Sequence, residues 1–305
     1  MNRKTSLTLL LLLGITVMAH TVLPAPGIAD DAFPHARPRH VPPSVSPSKA
    51  IPTVPLRSPP AHAQGPEHAA RAALDGLKPF EGRYALAVVD PSSGRTFTHG
   101  ASTEAFASAS IIKVDILAAL LLQKQDRGTS LTEAQEQLAS RMIRFSDNDA
   151  AQELWVCIGR RQGLDAANAR LGLTAAHAGQ RGPWGLTQTT VHDQLALLKA
   201  VFEDDSPLST TSRAYLRSLM SDVTAGQDWG VGAAGSPTSV PVLKNGWLPR
   251  ETTGLWVVNS IGIVEYAGRS MLVVVLTDGQ PTREAGIALV ERTATAAVHT
   301  LVDQV

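Results

Sequence analysis

The chain has 305 residues, and its 27 Lys and Arg are balanced by 27 Asp and Glu. An apolar fraction of 44% and a charged fraction of 18% are globular values that exclude a wholly disordered chain or a coiled coil, and zero net charge lacks the basic excess of a nucleic-acid binder. A single cysteine, Cys157, excludes an intrachain disulfide framework and any multi-cysteine metal site.

Arg3 and Lys4 precede a mostly apolar stretch, residues 7–19, which is shorter than a comfortable bilayer span. Residues 1–29 therefore read as a secretory signal peptide, with cleavage after Ala29 or after Ala19 both compatible, and a membrane anchor if uncleaved. Between residues 24 and 66 lie 12 of the 20 prolines. Proline removes backbone donors and this stretch lacks an apolar periodicity, so residues 30–66 read as an extended, mobile linker. The expected localisation is secreted or cell-wall associated, the linker serving as a spacer that also offers a route for association with the wall.

Residues 67–305 carry 21 basic and 25 acidic side chains and enough apolar residues for one sizeable core. A helix is expected over 67–77 and strands over 84–90 and 95–99, joined by a Pro91-Ser92-Ser93-Gly94 turn. From 110 to 220 the pattern is helical. Ser130-Leu131-Thr132-Glu133 reads as a capping box, and Thr190-Val191-His192-Asp193 as a second helix start. Cys157 lies in an apolar helical run and is expected to be a buried, inert thiol. Strands return at 241–247, 255–265 and 270–277, and a last helix spans 282–302. The order predicts an α/β (α+β) fold. Its five-stranded antiparallel sheet is made from both chain ends and flanked by terminal helices, with an all-helical insert at about 109–234.

Three short segments carry chemistry. In Ser110-Ile111-Ile112-Lys113, serine and lysine share one helix face. A serine hydroxyl needs a base to become nucleophilic, and a partly desolvated lysine can be that base. The helix start adds N–H groups that favour developing negative charge beside Ser110. Spacing alone is weak evidence, since Ser46-Pro47-Ser48-Lys49 also matches inside the linker. In Ser146-Asp147-Asn148, between two helical stretches, a turn can aim Ser146 and Asn148 into a shared cleft. Ser146 can relay a proton to a leaving group there, and the Asn148 amide can hold a substrate carbonyl and the lysine. Asp147 suits a helix N-cap. In Lys244-Asn245-Gly246-Trp247, Lys244 offers positive charge to a substrate carboxylate. Gly246 permits close backbone approach, and the Trp247 N–H can join that of Ser110 as an oxyanion hole.

Together and in this order, these segments resemble the class A β-lactamases and the wider penicillin-recognising serine enzymes, whose signature is Ser-x-x-Lys, Ser-Asp-Asn and Lys-[Ser/Thr]-Gly. The resemblance covers residues 67–305. It implies a β-lactamase-like fold and acyl transfer through an acyl-serine, with no metal or organic cofactor. By this resemblance Ser110, Lys113 and Ser146 would be catalytic, and Asn148, Lys244, Asn245, Gly246 and Trp247 would bind substrate. That substrate is a β-lactam or a cell-wall peptide or ester, met by a monomer. Three departures stand out. Ser110 and Ser146 are only 36 residues apart, which implies a trimmed helical part and a more open cleft. Residues 166–192, where the family's deacylating glutamate belongs, contain no Asp or Glu, leaving only His177 and Gln180 to order a water. Asn245 replaces the family's hydroxyl residue. The sequence therefore fits a serine hydrolase with weak β-lactam deacylation. It also fits a non-turnover protein that captures peptidoglycan or β-lactams in the same cleft.

Overall fold

In the computed structural model, residues 65–77, 80–176 and 183–304 are described. The leader, linker residues 30–64, the second Ser-x-x-Lys segment, His177 and Gln180 lie outside the described residues. Helix α1 (Pro66–Asp75) begins one residue inside the expected linker, with proline in the first turn, where its missing N–H costs nothing.

Strands β1 (Arg83–Val89), β2 (Thr96–Gly100), β5 (Val242–Pro249), β6 (Trp256–Tyr266) and β7 (Arg269–Asp278) form one sheet in the order β2-β1-β7-β6-β5. Every neighbouring pair is antiparallel. Strand β1 is apolar on both faces because both faces are covered. Tyr84, Leu86 and Val88 pack with α1 and the long helix α8 (Arg283–Asp303), while the smaller Ala85 and Ala87 meet the helical part. Thr282, where the sequence reading starts this helix, is its N-cap.

The insert runs from the short strand β3 (Phe106–Ala107) through α2 (Ile112–Asp126), α3 (Glu133–Arg144), α4 (Asn148–Cys157), α5 (Arg160–Leu171), β4 (Gln188–Thr189), α6 (Val191–Phe202) and α7 (Thr210–Ser221). By Val231 the chain has rejoined the core on the α8 side of the sheet, a little before the expected boundary at 234. Helix α2 is buried on all sides from Ile112 to Leu122, as expected of a helix that is apolar all round. Its two charged residues in that span, Lys113 and Asp115, are buried with it.

Two local expectations are corrected. The capping box of α3 is Thr132 with Gln135, not Ser130 with Glu133: Thr132 Oγ1 accepts from the Gln135 N–H and the Gln135 side chain accepts from the Thr132 N–H. The helix start expected at Thr190 is found, and there Thr190 and Asp193 form a capping box for α6. Cys157 is exposed, because α4 buries Ala150, Ala151, Leu154 and Trp155 and turns residues 152, 153, 156 and 157 outward.

Candidate active site

Ser110 lies in a 3-10 turn (Ala109–Ile111) just ahead of α2 rather than on that helix. Ala109 before it has a φ of 50°, a left-handed conformation rare for a residue with a Cβ. The turn is held from both sides. Asn259 of β6, buried, donates through Nδ2 to the carbonyls of Ala107 (2.8 Å) and Ser108 (3.0 Å) and accepts from the Thr277 N–H (3.0 Å). The Ser108 N–H donates to the Thr187 carbonyl at 2.8 Å. Asn259 escaped sequence reasoning; the signal was a polar Asn259-Ser260 pair inside an otherwise apolar strand.

Lys113 points into the cleft and donates to the Ser146 carbonyl (2.6 Å), the Ser146 hydroxyl (3.1 Å) and Asn148 Oδ1 (2.7 Å). These occupy all three donors of an ammonium. No hydrogen bond joins Lys113 to Ser110 among the described residues. Ser146 has a φ of 57°, so a second non-glycine residue at this site holds the left-handed region. The turn is fixed by Asp147, the N-cap of α4, which accepts from the Ala150 N–H at 2.9 Å and from Arg141 at 2.9 and 2.6 Å. Those bonds, the Ala150 N–H first, hold the Asp147 carboxyl below its usual range.

From the other side, Lys244 of β5 donates to the same Ser146 hydroxyl at 3.1 Å and to the Asn245 carbonyl at 2.8 Å. One hydroxyl thus lies between two lysines, neither exposed to solvent. Burial pushes the Lys113 ammonium down to about 7, against the opposing pull of Asp147. Lys244 is held well below the usual lysine range by burial and by the neighbouring charge of Lys113.

Strand β5 is the sheet edge beside Ser110. A Cβ on Gly246 would come within 2.5 Å of the Ser110 nitrogen and 2.7 Å of the Ile111 nitrogen, so only glycine lets the strand lie this close. Trp247 is half-buried, its ring beneath the Arg283 guanidinium (4.7 Å) and against Trp229 (5.9 Å between centroids). Asn245 is buried; its Nδ2 donates to the carbonyls of Gln227 (2.9 Å) and Trp229 (2.6 Å), while its Oδ1 has no partner among the described residues. Its donor capacity therefore anchors the 227–229 loop to β5. The structure brings Ser146, Lys113, Asn148 and Lys244 into one hydrogen-bonded group and sets Gly246 against the Ser110 turn.

Across from this group, residues 183–189 approach the same turn. Strands β3 and β4 pair Phe106 with Thr189 and Ala107 with Gln188. This latch presents Trp184, whose ring centre lies 5.0 Å from Lys113 Nζ. The acids bordering the carboxylate-free stretch are engaged elsewhere: Asp165 pairs with Arg161, and Asp193 accepts from Thr190 and from the Ala175 N–H.

This antiparallel sheet, helical insert and two-lysine serine site define a member of the penicillin-recognising serine enzymes. The sequence profile described as the beta-lactamase enzyme family matches residues 122–301, and the chain belongs to that family. No functionally curated protein matches the sequence. A class A beta-lactamase from Bacteroides cellulosilyticus superposes with a TM-score of 0.69 at 16% identity, covering 79% of this chain and 99% of that one. A beta-lactamase from Xanthomonas campestris gives 0.65 at 22%, covering 76% and 97%. One from Burkholderia vietnamiensis gives 0.64 at 23%, covering 78% and 97%. At these identities the likeness speaks for the fold.

Proposed function

We propose that the protein is an exported serine hydrolase that works through an acyl-serine and releases β-lactam acyl groups slowly. One observation carries this reading: the Ser146 hydroxyl lies 3.1 Å from both Lys113 and Lys244, beside the turn that holds Ser110. In the first step Ser110 Oγ bonds to the substrate carbonyl carbon as its proton passes to neutral Lys113. The N–H groups of Ser110 and Trp247 stabilise the oxyanion. As the carbonyl reforms, the bond to the leaving nitrogen or oxygen breaks, and Ser146 hands that atom a proton drawn from the lysine pair. The buried lysines suit a proton relay because neither is held firmly in its charged form. Substrates in this reading are β-lactams or peptidoglycan peptides and esters, with Asn148 and β5 aligning them and the leader and linker placing the enzyme outside the cell or at the wall.

The absence of Asp and Glu from residues 166–192 favours a second reading, capture without turnover, by a sensor or wall-associated binding module. One experiment separates the two. The protein is incubated with a fluorescent penicillin or a fluorophosphonate, the labelled peptide is mapped, and release is followed by stopped-flow absorbance and intact mass. Label on Ser110, a one-equivalent burst and a persistent penicillin adduct, together with turnover of a peptide or ester, support the hydrolase. Label without turnover of any such substrate supports the capture protein, and label on another residue rejects the nucleophile.

A further inference from the structure

We infer that Trp184 is a positioning residue whose indole seals one side of Lys113 and of the acyl group on Ser110 against water, making the site slow to release that acyl group. The inference rests on the acyl-serine reading above and extends it to a residue no motif contains.

Four observations support it. The ammonium of Lys113 has its three donors committed to Ser146 and Asn148, and the ring of Trp184 lies 5.0 Å from Nζ. The ring does not hang on a loose loop. The Trp184 backbone carbonyl accepts from the Thr187 hydroxyl (2.6 Å) and the Thr187 N–H (3.0 Å), the Leu186 N–H donates to the Pro183 carbonyl (3.0 Å), and the Thr187 carbonyl receives the Ser108 N–H (2.8 Å). The segment that carries the nucleophile and the segment that carries the indole are therefore one hydrogen-bonded unit. Trp184 is also packed against the buried core of the helical part, which holds the ring in place. Finally, Asp165 and Asp193, the acids bordering this stretch, are tied to Arg161 and to Thr190 and Ala175.

Hydrolysis of an acyl-serine needs a water oxygen to bond to the ester carbonyl carbon while a base takes its proton. The bond from that carbon to Ser110 Oγ then breaks, and the proton returns to Oγ. An indole face offers neither a base nor room for the water. Opening this side should act on both steps at once: water gains access to the ester, and Lys113 gains hydration that outweighs the lost attraction of the indole face, so that it holds its proton more firmly. The other charges facing Lys113 are Asp147 from the α4 N-terminus and Lys244 from β5, and both remain in place in the variants below.

The full chain and its Trp184→Ala and Trp184→Phe variants are compared with a fluorescent penicillin, and labelling rate is measured across pH and adduct lifetime by intact mass. In Trp184→Ala the adduct lifetime should shorten about tenfold or more, and the midpoint of the acid limb of the labelling profile should rise by about one pH unit. Trp184→Phe, which keeps an aromatic wall, should restore both toward the parent. A purely structural tryptophan would slow labelling and lower the melting temperature of the Ala variant without moving that midpoint or shortening the adduct, and this result overturns the inference. Failure of the parent protein to label at Ser110 overturns the acyl-serine reading and this inference with it. Labelling of the parent with no change in the Ala variant overturns the inference alone.

Discussion

The wall of the cleft made by the Ser146 turn and β5 is a polar network: Ser146, Lys113, Asn148 and Lys244 are joined by bonds of 2.6–3.1 Å. The wall made by residues 183–189 reaches the same Ser110 turn and brings an indole and backbone amides, without a carboxylate. Both walls are tied to regular structure, the first through the α4 N-cap and β5, the second through the β3–β4 pair. The contrast is therefore one of chemistry rather than order. It teaches that the two halves of an acyl-transfer cycle can be specified separately: on the proposed reading, one wall forms the acyl-serine and the other governs how long it lasts.

The contrast breaks most severely if the polar wall proves dispensable. Lys113→Met should lower labelling of Ser110 about a hundredfold to ten-thousandfold, the usual cost of a lost positioned base. It should do so without lowering the melting temperature, because an isosteric apolar side chain relieves the burial of an ammonium. Labelling by a fluorophosphonate and calorimetry on the same sample check both halves.

Next in size is the seam where β5 meets the Ser110 turn. A Cβ at Gly246 would run into backbone nitrogens at 2.5 and 2.7 Å, which cannot swing aside as a flexible side chain would. Gly246→Ala should cost about 1–3 kcal/mol of stability by overpacking and slow labelling at least tenfold. Denaturant unfolding and labelling kinetics would show whether the wall tolerates the displacement.

The pH dependence sharpens the comparison from inside α2. Labelling should fall as pH drops through about 7, where Lys113 takes up its proton. In stability the sign is opposite for the two buried charges of this helix. The Lys113 pKa is lowered in the fold from 10.5 to about 7, so over that window the unfolded chain binds more protons and stability rises with pH. Asp115, fully buried, is raised from 3.8 to about 8 by desolvation and by the charge of Asp193, against the pull of the Gln194 amide. There the folded chain binds more protons, so stability falls as pH rises from about 4 to 8. Melting temperatures of Lys113→Met should lose the alkaline rise, and those of Asp115→Asn the acid-side fall.

The smallest effect tests a residue on neither wall. Cys157 faces solvent on the outer side of α4, near the Gln135 amide (3.2 Å). A thiol reagent should titrate it rapidly in the native protein. Cys157→Ser should change stability by no more than about 0.5 kcal/mol and leave labelling intact.

The sequence made much of this legible because its strongest patterns are short and local. Ser110 to Lys113, Ser146 to Asn148 and Lys244 to Trp247 each hold their geometry within a few residues, and three of the sheet strands, β1, β6 and β7, are largely apolar runs. What was hidden depends on partners far along the chain. Cys157 was misjudged because an apolar run does not say which side of a helix turns inward. The capping box slipped from Ser130 to Thr132 because both positions offer a hydroxyl three residues before a Glu or Gln. Asn259 reads as an oddity in a strand until the carbonyls of Ala107 and Ser108 arrive beneath it. Trp184 lies in a stretch rich in small and polar residues, and nothing local ties it to Lys113.

The pairing of β1 with β7 also bears on how the molecule is assembled. Arg83 and Asp278, partners across those strands, are 195 residues apart. Such a closure spends chain entropy before any ladder bond repays it, so the central sheet belongs to the late, slow part of folding. Helices α3 and α4, neighbours along the chain, pack on each other and can condense first. In a refolding chain, helical circular dichroism should therefore return ahead of labelling at Ser110, since β5 and β6, which frame the Ser110 turn, lie beyond residue 240 and must wait for the last quarter of the polypeptide to dock.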